Sequence, residues 1–552
     1  MSETIAVGDV VAAVLARSGV EVAFGVISIH NMPMLDAIGR GNAIRFVPAR
    51  GEAGAANMAD AYARVGGRLG VVFTSTGPGA GNAAGSLLEA RMAGSPLLHL
   101  TGNVPLAMIG AGRYPVHDVP DQLAMLKSVS KAAYRVEAPE AALDVLTRAA
   151  TEALTPPMGP VSVELPIDVQ KASVPYPEAL EALAPPPPPP APAAAALDAL
   201  ADMAAGARRP LLWLGNGARH ARAAVMRLVD LGFGVVTSIH GRAVLPEDHP
   251  MTLGAFGVVA AVEAFYDTVD LMVIAGSRLR GHETRDQALA LPARRCRIDV
   301  DPAAEGRGYA CDLFVRGDAA LALSGLAERL GGRLDVDPAF AADLAATRAA
   351  AIAQYREDLG VYAELCDRVR AAVPRDAVWA RDITLCNSSW GNRLFPVYEP
   401  GDSVYSVLAA IGQGMQMGIG ACFAANGRKV VTMCGDGGFF LNVAELWTAV
   451  QENVDITLMV MNDSGYGVIR MIQDAFYDGR HYYTDLAMPD LGEFAAAARV
   501  PFWRAASLGE VTGALEGALA VDGPALVEVD MAALGPFPET ALPPSIRPQR
   551  PR

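Results

Sequence analysis

The stretch from Arg428 to Arg470, RKVVTMCGDGGFFLNVAELWTAVQENVDITLMVMNDSGYGVIR, decides the fold. An apolar run at 430–434 ends in Gly435-Asp436-Gly437. A helix-forming segment follows, with Asn442 as candidate N-cap and Glu445 three residues on, the spacing of a capping box. A second apolar run, 456–461, ends at Asn462-Asp463. This is a βαβ unit with an acidic residue at the carboxyl end of each strand. In a parallel sheet those ends share the edge at which ligands bind. Asp436 and Asp463 are 27 residues apart, the length of a compact βαβ turn. They are therefore expected to face one another across a crevice. Two hard oxygen ligands beside glycine amides suit magnesium bound to a diphosphate.

This combination, a GDG triplet closed by an Asn-Asp pair, resembles the signature of thiamine diphosphate-dependent enzymes. The resemblance implies a metal held by Asp436, Asp463 and the carbonyl of Gly465. It also implies a cofactor cradled by Gly435, Gly437 and Gly438, with Asn387 and Ser388 alongside. In one respect the chain departs from the family pattern. Asp463 stands where the family usually has Asn, which keeps a competent ligand and adds a negative charge.

At 552 residues the chain exceeds one core, and 52% apolar with 19% charged residues is the composition of a globular protein. A net charge of −15 argues against a nucleic-acid or anionic-membrane partner. No apolar run reaches the ~20 residues of a bilayer span. The start, MSETIAVGD, lacks a basic and then apolar leader, so a cytoplasmic protein is expected. Six cysteines without CxxC spacing read as reduced, mostly buried residues. The run APPPPPPAP at 184–192 cannot enter a helix or central strand and marks a stiff linker. The expected organisation is an N-terminal domain at 1–180, a linker at 181–192, a central domain at 193–335, a diphosphate- and metal-binding domain at 360–535, and a tail at 536–552. Strand–helix alternation in each predicts α/β throughout, three doubly wound parallel-sheet domains.

In the first block an apolar run at 22–26 leads into Ser28-Ile29-His30-Asn31, a loop at a strand's carboxyl end. Glu52 opens a helix after the run at 47–50, where the helix dipole favours an acid. The segment RGEAGAANMADAYARV, however, resembles the family stretch that carries its catalytic glutamate. There the carboxyl group hydrogen-bonds a ring nitrogen of the cofactor's aminopyrimidine and favours the tautomer that takes the C2 proton. The glycine-rich turn with Pro78 and Asn82 matches the family loop near the pyrimidine. His117 and Gln122 lie on a polar turn near the expected mouth of the site. In the central block, Arg280 and Asp299 flank a crevice of the kind that holds a nucleotide; the resemblance implies FAD, the ADP part of a coenzyme such as coenzyme A, or nothing there. In the third block, Met417 takes, by position, the place of the large apolar residue that bends the cofactor, with the Met415 carbonyl nearby. Helix packing is the other reading, since Met is a common gap filler.

The resemblance implies thiamine diphosphate and Mg2+ as cofactors. It also implies a homodimer or homotetramer, in which Glu52 of one subunit meets Asp436 and Asp463 of another. Three groups fit: acetolactate-synthase-like, benzaldehyde-lyase-like, and the 2-hydroxyacyl-CoA lyase and oxalyl-CoA decarboxylase group. The tail carries Ser545 and Arg547, similar to a Ser-x-Arg lid of the last group, and the cavity-lining stretches carry few charges. These features favour a lyase that cleaves a 2-hydroxyacyl-CoA to an aldehyde or ketone plus formyl-CoA. The alternative is a carboligase or 2-oxo acid decarboxylase. His30, at the cofactor-facing edge, is the candidate acceptor for the substrate's hydroxyl proton.

Overall fold

The computed structural model describes residues 4–182, 185 and 187–541. Three parallel sheets, one per domain, account for the architecture. The N-terminal sheet is ordered Arg45–Pro48, Val22–Gly25, Gly70–Thr74, Leu97–Asn103, Pro160–Pro166, Ala132–Arg135. The C-terminal sheet is ordered Ser403–Tyr405, Val378–Arg381, Val430–Gly435, Ile456–Asn462, Ala525–Asp530, Phe502–Ala505. Counted within each domain, both run 2-1-3-4-6-5, so the two are the same topology used twice. The central sheet, Gly234–Thr237, Pro210–Leu214, Leu271–Ala275, Arg295–Asp299, Leu313–Arg316, runs 2-1-3-4-5. A strand pair, Thr4–Ala6 with Ser173–Pro175, ties the start of the N-terminal domain to its end.

The strands are short apolar runs because helices cover both faces of each sheet. Val430, Val431, Met433 and Cys434 are all buried, as are Ile456, Leu458, Met459 and Val460. The two outer domains share a core. The helix Glu52–Gly66 lies against the helix Gly414–Cys422, burying Met58 and Tyr62 beside Met415 and Ile419. Each such side chain contributes roughly 1.5–3 kcal/mol by leaving water. The proline linker follows the central domain, where the Asp318 N–H donates to the Pro190 carbonyl at 2.8 Å. The helices Phe340–Leu359 and Val361–Ala372 lead out of the central domain. The first residues of the tail dock on them: Phe537 packs on Tyr362, and Thr540 Oγ1 donates to the Asp358 carbonyl at 2.8 Å. Ser545 and Arg547 lie outside the described residues.

The expected capping box at Asn442 does not form. The first helix of the unit starts at Asp436 itself and ends at Leu441, and Asn442 Nδ2 donates to the Gly412 carbonyl instead. Glu445 turns away to the other domain. Its carboxylate accepts from the Arg50 and Gly51 amides at 3.0–3.1 Å, just before the helix that Glu52 opens. A helix start has unsatisfied amides wherever its cap is weak, and a carboxylate from another domain can serve them.

Candidate active site

A cavity of about 780 Å³ lies at the carboxyl ends of the C-terminal sheet. Asp436 and Asp463 enter it from adjacent strands, as their spacing predicts. Asp436 is buried at the start of its helix. Its Oδ1 accepts from the Asp463 N–H at 3.4 Å, and its Oδ2 has no hydrogen-bond partner among the described residues. Burial, then the neighbouring Asp463, pushes the Asp436 carboxyl up to about 7. Burial also raises Asp463, opposed by Arg470. Two carboxyl groups this close favour sharing a proton until a cation replaces it. The Gly465 carbonyl lies over Gly437, where an added Cβ would come within 3.3 Å of it. Among the described residues no cluster of three or more His, Cys, Asp or Glu gathers as a metal site. The donor set here is therefore two carboxylates and a carbonyl, with one buried carboxylate oxygen lacking a partner. That chemistry fits a hard divalent cation.

Gly435, Gly437 and Gly438 line the same cavity, with Asn387 and Ser388 opposite them. Asn387 is buried in an irregular turn. Its Oδ1 accepts from Arg381 Nε at 2.8 Å, while its Nδ2 has no partner. This free donor and the glycine amides suit an anionic group beside the cation. Met415 and Met417 do not line the cavity. Both are buried in the helix Gly414–Cys422, Met417 against Ala61 and Val404. Ile411, in the preceding loop, is the apolar residue that reaches the cavity.

Three contributors were not evident from the sequence. Asp382 is buried and pushed up to about 6 by that burial. It accepts from the amides of Ile383, Gly412 and Gly414, which fixes the loop that carries Ile411. Its signal was an acid directly after the strand Val378–Arg381. The second is Ile411 itself. The third is Arg393, buried on the cavity wall. Its guanidinium has one long contact, to the Ser388 carbonyl at 3.4 Å, its Nε is unpartnered, and among the described residues it has no carboxylate partner. His282 and Arg280 line the same wall, and Arg280 is partly balanced by Glu283 at 3.7 Å. The cavity is thus richer in cations than its flanking sequence suggested.

Glu52 lies in the N-terminal domain, buried at the start of its helix. Asn82 Nδ2 donates to its Oε2 at 3.1 Å. Pro78 opens the short helix that carries Asn82, and Gly79 leaves room for the Glu52 carboxyl, since a Cβ there would sit 2.6 Å from Oε1. His30 is held by a loop that Asn31 ties down, with Nδ2 donating to the Val26 and Thr74 carbonyls. His30 and His117 bring their Nδ1 atoms to 3.4 Å. Burial first, then His117 and Lys171, lowers the His30 pKa below 6.5. Gln122 is engaged within its own domain. Its Oε1 accepts from Thr76 Oγ1 and the Gly77 N–H, and its Nε2 donates to the Gly102 carbonyl, so it braces the loop from inside. Glu52 and His30 are not among the residues lining the Asp436 cavity.

A second cavity, about 320 Å³, lies at the carboxyl ends of the central sheet and holds Asp299 with Arg278 and Arg307. Arg280 borders both cavities.

Three matches to known families cover the chain. Residues 5–125 match "Thiamine pyrophosphate enzyme, N-terminal TPP binding domain", residues 197–326 the central domain, and residues 384–529 the C-terminal TPP binding domain. A probable 2-ketoarginine decarboxylase of Pseudomonas aeruginosa is 31% identical over 85% of this chain and 84% of its own length. The chain belongs to the thiamine pyrophosphate enzymes. Other members of the family are similar along most of their length. They include a probable chloroplastic acetolactate synthase 2 of Oryza sativa, 29% identical over 94% of this chain and 82% of its own. The Escherichia coli acetolactate synthase isozyme 1 large subunit is 27% identical over 84% and 83%. In this thiamine pyrophosphate enzyme, Glu52 falls in the N-terminal match and Asp436 and Asp463 in the C-terminal one. Among the described residues no helix is long and apolar enough to cross a membrane.

Proposed function

We infer that the chain decarboxylates a 2-oxo acid, releasing an aldehyde or coupling the remaining carbons to a second carbonyl compound. The observation that carries this reading is Arg393, a buried guanidinium that has no carboxylate partner among the described residues, on the wall of the Asp436 cavity. An unpaired buried cation is costly unless a ligand supplies the anion. A free substrate carboxylate does so; a thioester does not. The names of the relatives, a keto-acid decarboxylase and acetolactate synthases, point the same way. Against the 2-hydroxyacyl-CoA lyase reading, the wall holds two guanidinium groups, Arg393 and Arg280.

In this reading Asp436, Asp463 and the Gly465 carbonyl would hold magnesium, and the amides of Gly437 and Gly438 with Asn387 and Ser388 would hold the diphosphate. Thiamine diphosphate, when bound, supplies a carbanion that adds to a carbonyl and accepts the electrons of the broken C–C bond. Ile411 would press on the cofactor from the loop that Asp382 fixes. Glu52, oriented by Asn82, would hold a proton toward the pyrimidine from the partner subunit. His30 would accept or return a proton at the substrate oxygen. The central cavity would take the ADP part of a nucleotide coenzyme, its phosphates against Arg278 and Arg307.

Mass spectrometry of products from 2-oxo acids and 2-hydroxyacyl-CoAs, with thiamine diphosphate and magnesium, tests the assignment. Carbon dioxide with an aldehyde or acyloin is expected from the 2-oxo acids. Formyl-CoA from the thioesters, with no 2-oxo acid turnover, would overturn it. Arg393→Met is expected to raise KM for the 2-oxo acid about 10–100-fold, the loss of one charge-assisted contact of about 1.5–3 kcal/mol, with a smaller change in kcat. Unchanged KM with weakened cofactor binding would assign Arg393 to the diphosphate instead.

A further inference from the structure

Asp463 brings a carboxylate to a place where a diphosphate, itself anionic, must also settle. The structure supplies a cation in answer. Arg470, on the helix Gly467–Phe476, donates through one Nη2 to the Asp463 carbonyl oxygen at 2.6 Å and approaches Asp463 Oδ2 at 3.1 Å. Its Nη1 reaches Asp485 Oδ1 at 3.2 Å. Side chain and main chain of the same aspartate are thus gripped by one guanidinium, a planar donor fork suited to that geometry. The grip fixes which oxygen is spent. Oδ2 is directed to Arg470 and over Gly467, where any Cβ would collide with it. The Asp463 main-chain N–H, for its part, donates to Asp436 Oδ1 at 3.4 Å. The neighbouring backbone is fixed as well, since the Tyr466 N–H donates to the Thr484 carbonyl at 2.9 Å and Gly465 bridges Asp485.

We propose that Arg470 is a positioning residue that offsets the charge of Asp463 and thereby lets a cation and a diphosphate bind together at a site with two acidic ligands. The proposal rests on the metal site described above. An asparagine at 463 would need no such counter-charge, and so Arg470 should matter only while residue 463 is an aspartate. A residue that merely held the loop in shape would matter equally with either.

A double-mutant cycle separates the two. Thiamine diphosphate binding to the apoprotein is measured by calorimetry as magnesium is varied, for the wild type, Arg470→Gln, Asp463→Asn and the double variant. Arg470→Gln is expected to weaken magnesium-dependent cofactor binding at least tenfold. The double variant, having lost the extra charge together with its partner, is expected to recover to within about threefold of wild type. Asp485→Asn, which removes the other partner of Arg470, is expected to leave affinity unchanged. Additive losses in the double variant, or wild-type affinity in Arg470→Gln, would overturn the proposal. Absence of magnesium-dependent binding in the wild type would overturn the metal site itself, a distinct result. Apoprotein thermal melts of all four chains show whether a loss reflects folding. If Arg470→Gln does not fold, Arg470→Met takes its place in the cycle, with the same loss alone and the same recovery beside Asp463→Asn expected.

Discussion

Replacing Glu52 by glutamine keeps the side chain's length and its contact with Asn82 but removes the acid. In the proposed site that group does nothing except hold a proton toward the cofactor. Glu52→Gln is therefore expected to leave cofactor affinity near wild type and to slow hydrogen exchange at the cofactor's C2 by about 10²–10⁴, the range of a lost proton-transfer group. Exchange followed by NMR in both proteins checks this, and equal rates would remove Glu52 from the relay. His30 is separable from it. Its ring is kept neutral near pH 7 because burial, His117 and Lys171 all lower its pKa below 6.5. As a base it is active when unprotonated, so the acid limb of kcat/KM that it governs should fall below pH 6.5. His30→Ala is expected to lower turnover by roughly two orders of magnitude and to abolish that limb, with C2 exchange unchanged. Full turnover in the variant would make the histidine pair structural.

At the scale of elements, the strands and their acidic ends were legible because a parallel strand covered on both faces must be an unbroken apolar run, and its end must turn through glycine. That the acids at 436 and 463 share one edge of the sheet follows from it. Three details were not legible, for one physical reason: each depends on a neighbour remote in sequence. Glu445 has its partners 394 and 395 residues away, so its local capping-box spacing carried no information about them. Met417 and Ile411 both sit in a glycine-rich stretch, and which of them meets the cavity is set by the helix Glu52–Gly66, which buries one side of Gly414–Cys422. Gln122 reads as a polar loop residue, yet it faces inward because the Gly77 N–H needs an acceptor. Glu445→Ala tests the seam between the outer domains directly. It leaves the Arg50 and Gly51 amides without their buried acceptor, at a cost of about 1–3 kcal/mol. A lower thermal midpoint is expected, along with loosening of the helix that opens with Glu52, read as faster amide hydrogen exchange at 50–56. An unchanged exchange rate there would mean that water replaces the carboxylate without cost.

For the whole molecule, the proposed reading divides the site between two sheets: Glu52 and His30 stand on the N-terminal domain, and neither lines the Asp436 cavity of the C-terminal one. Around each half lie exposed apolar side chains: Ile27 and Ile29 beside His30, and Leu408, Ile411 and Ile469 at the mouth of the Asp436 cavity. Apolar groups clustered at a site's rim mark a surface that another protein covers. In the proposed reading, a two-fold partner would place the N-terminal half of one copy on the C-terminal half of the other, and reciprocally. This arrangement makes a quantitative prediction. Glu52→Gln and Asp436→Ala each disable both sites of their own homodimer. In a heterodimer of the two variants, one site receives a wild-type Glu52 and a wild-type Asp436, and the other receives both defects. Heterodimer isolated with two different affinity tags is therefore expected to recover about half of the wild-type activity per dimer, although neither parent is active. If each site were completed within one chain, every site in the heterodimer would carry one defect and no activity would return.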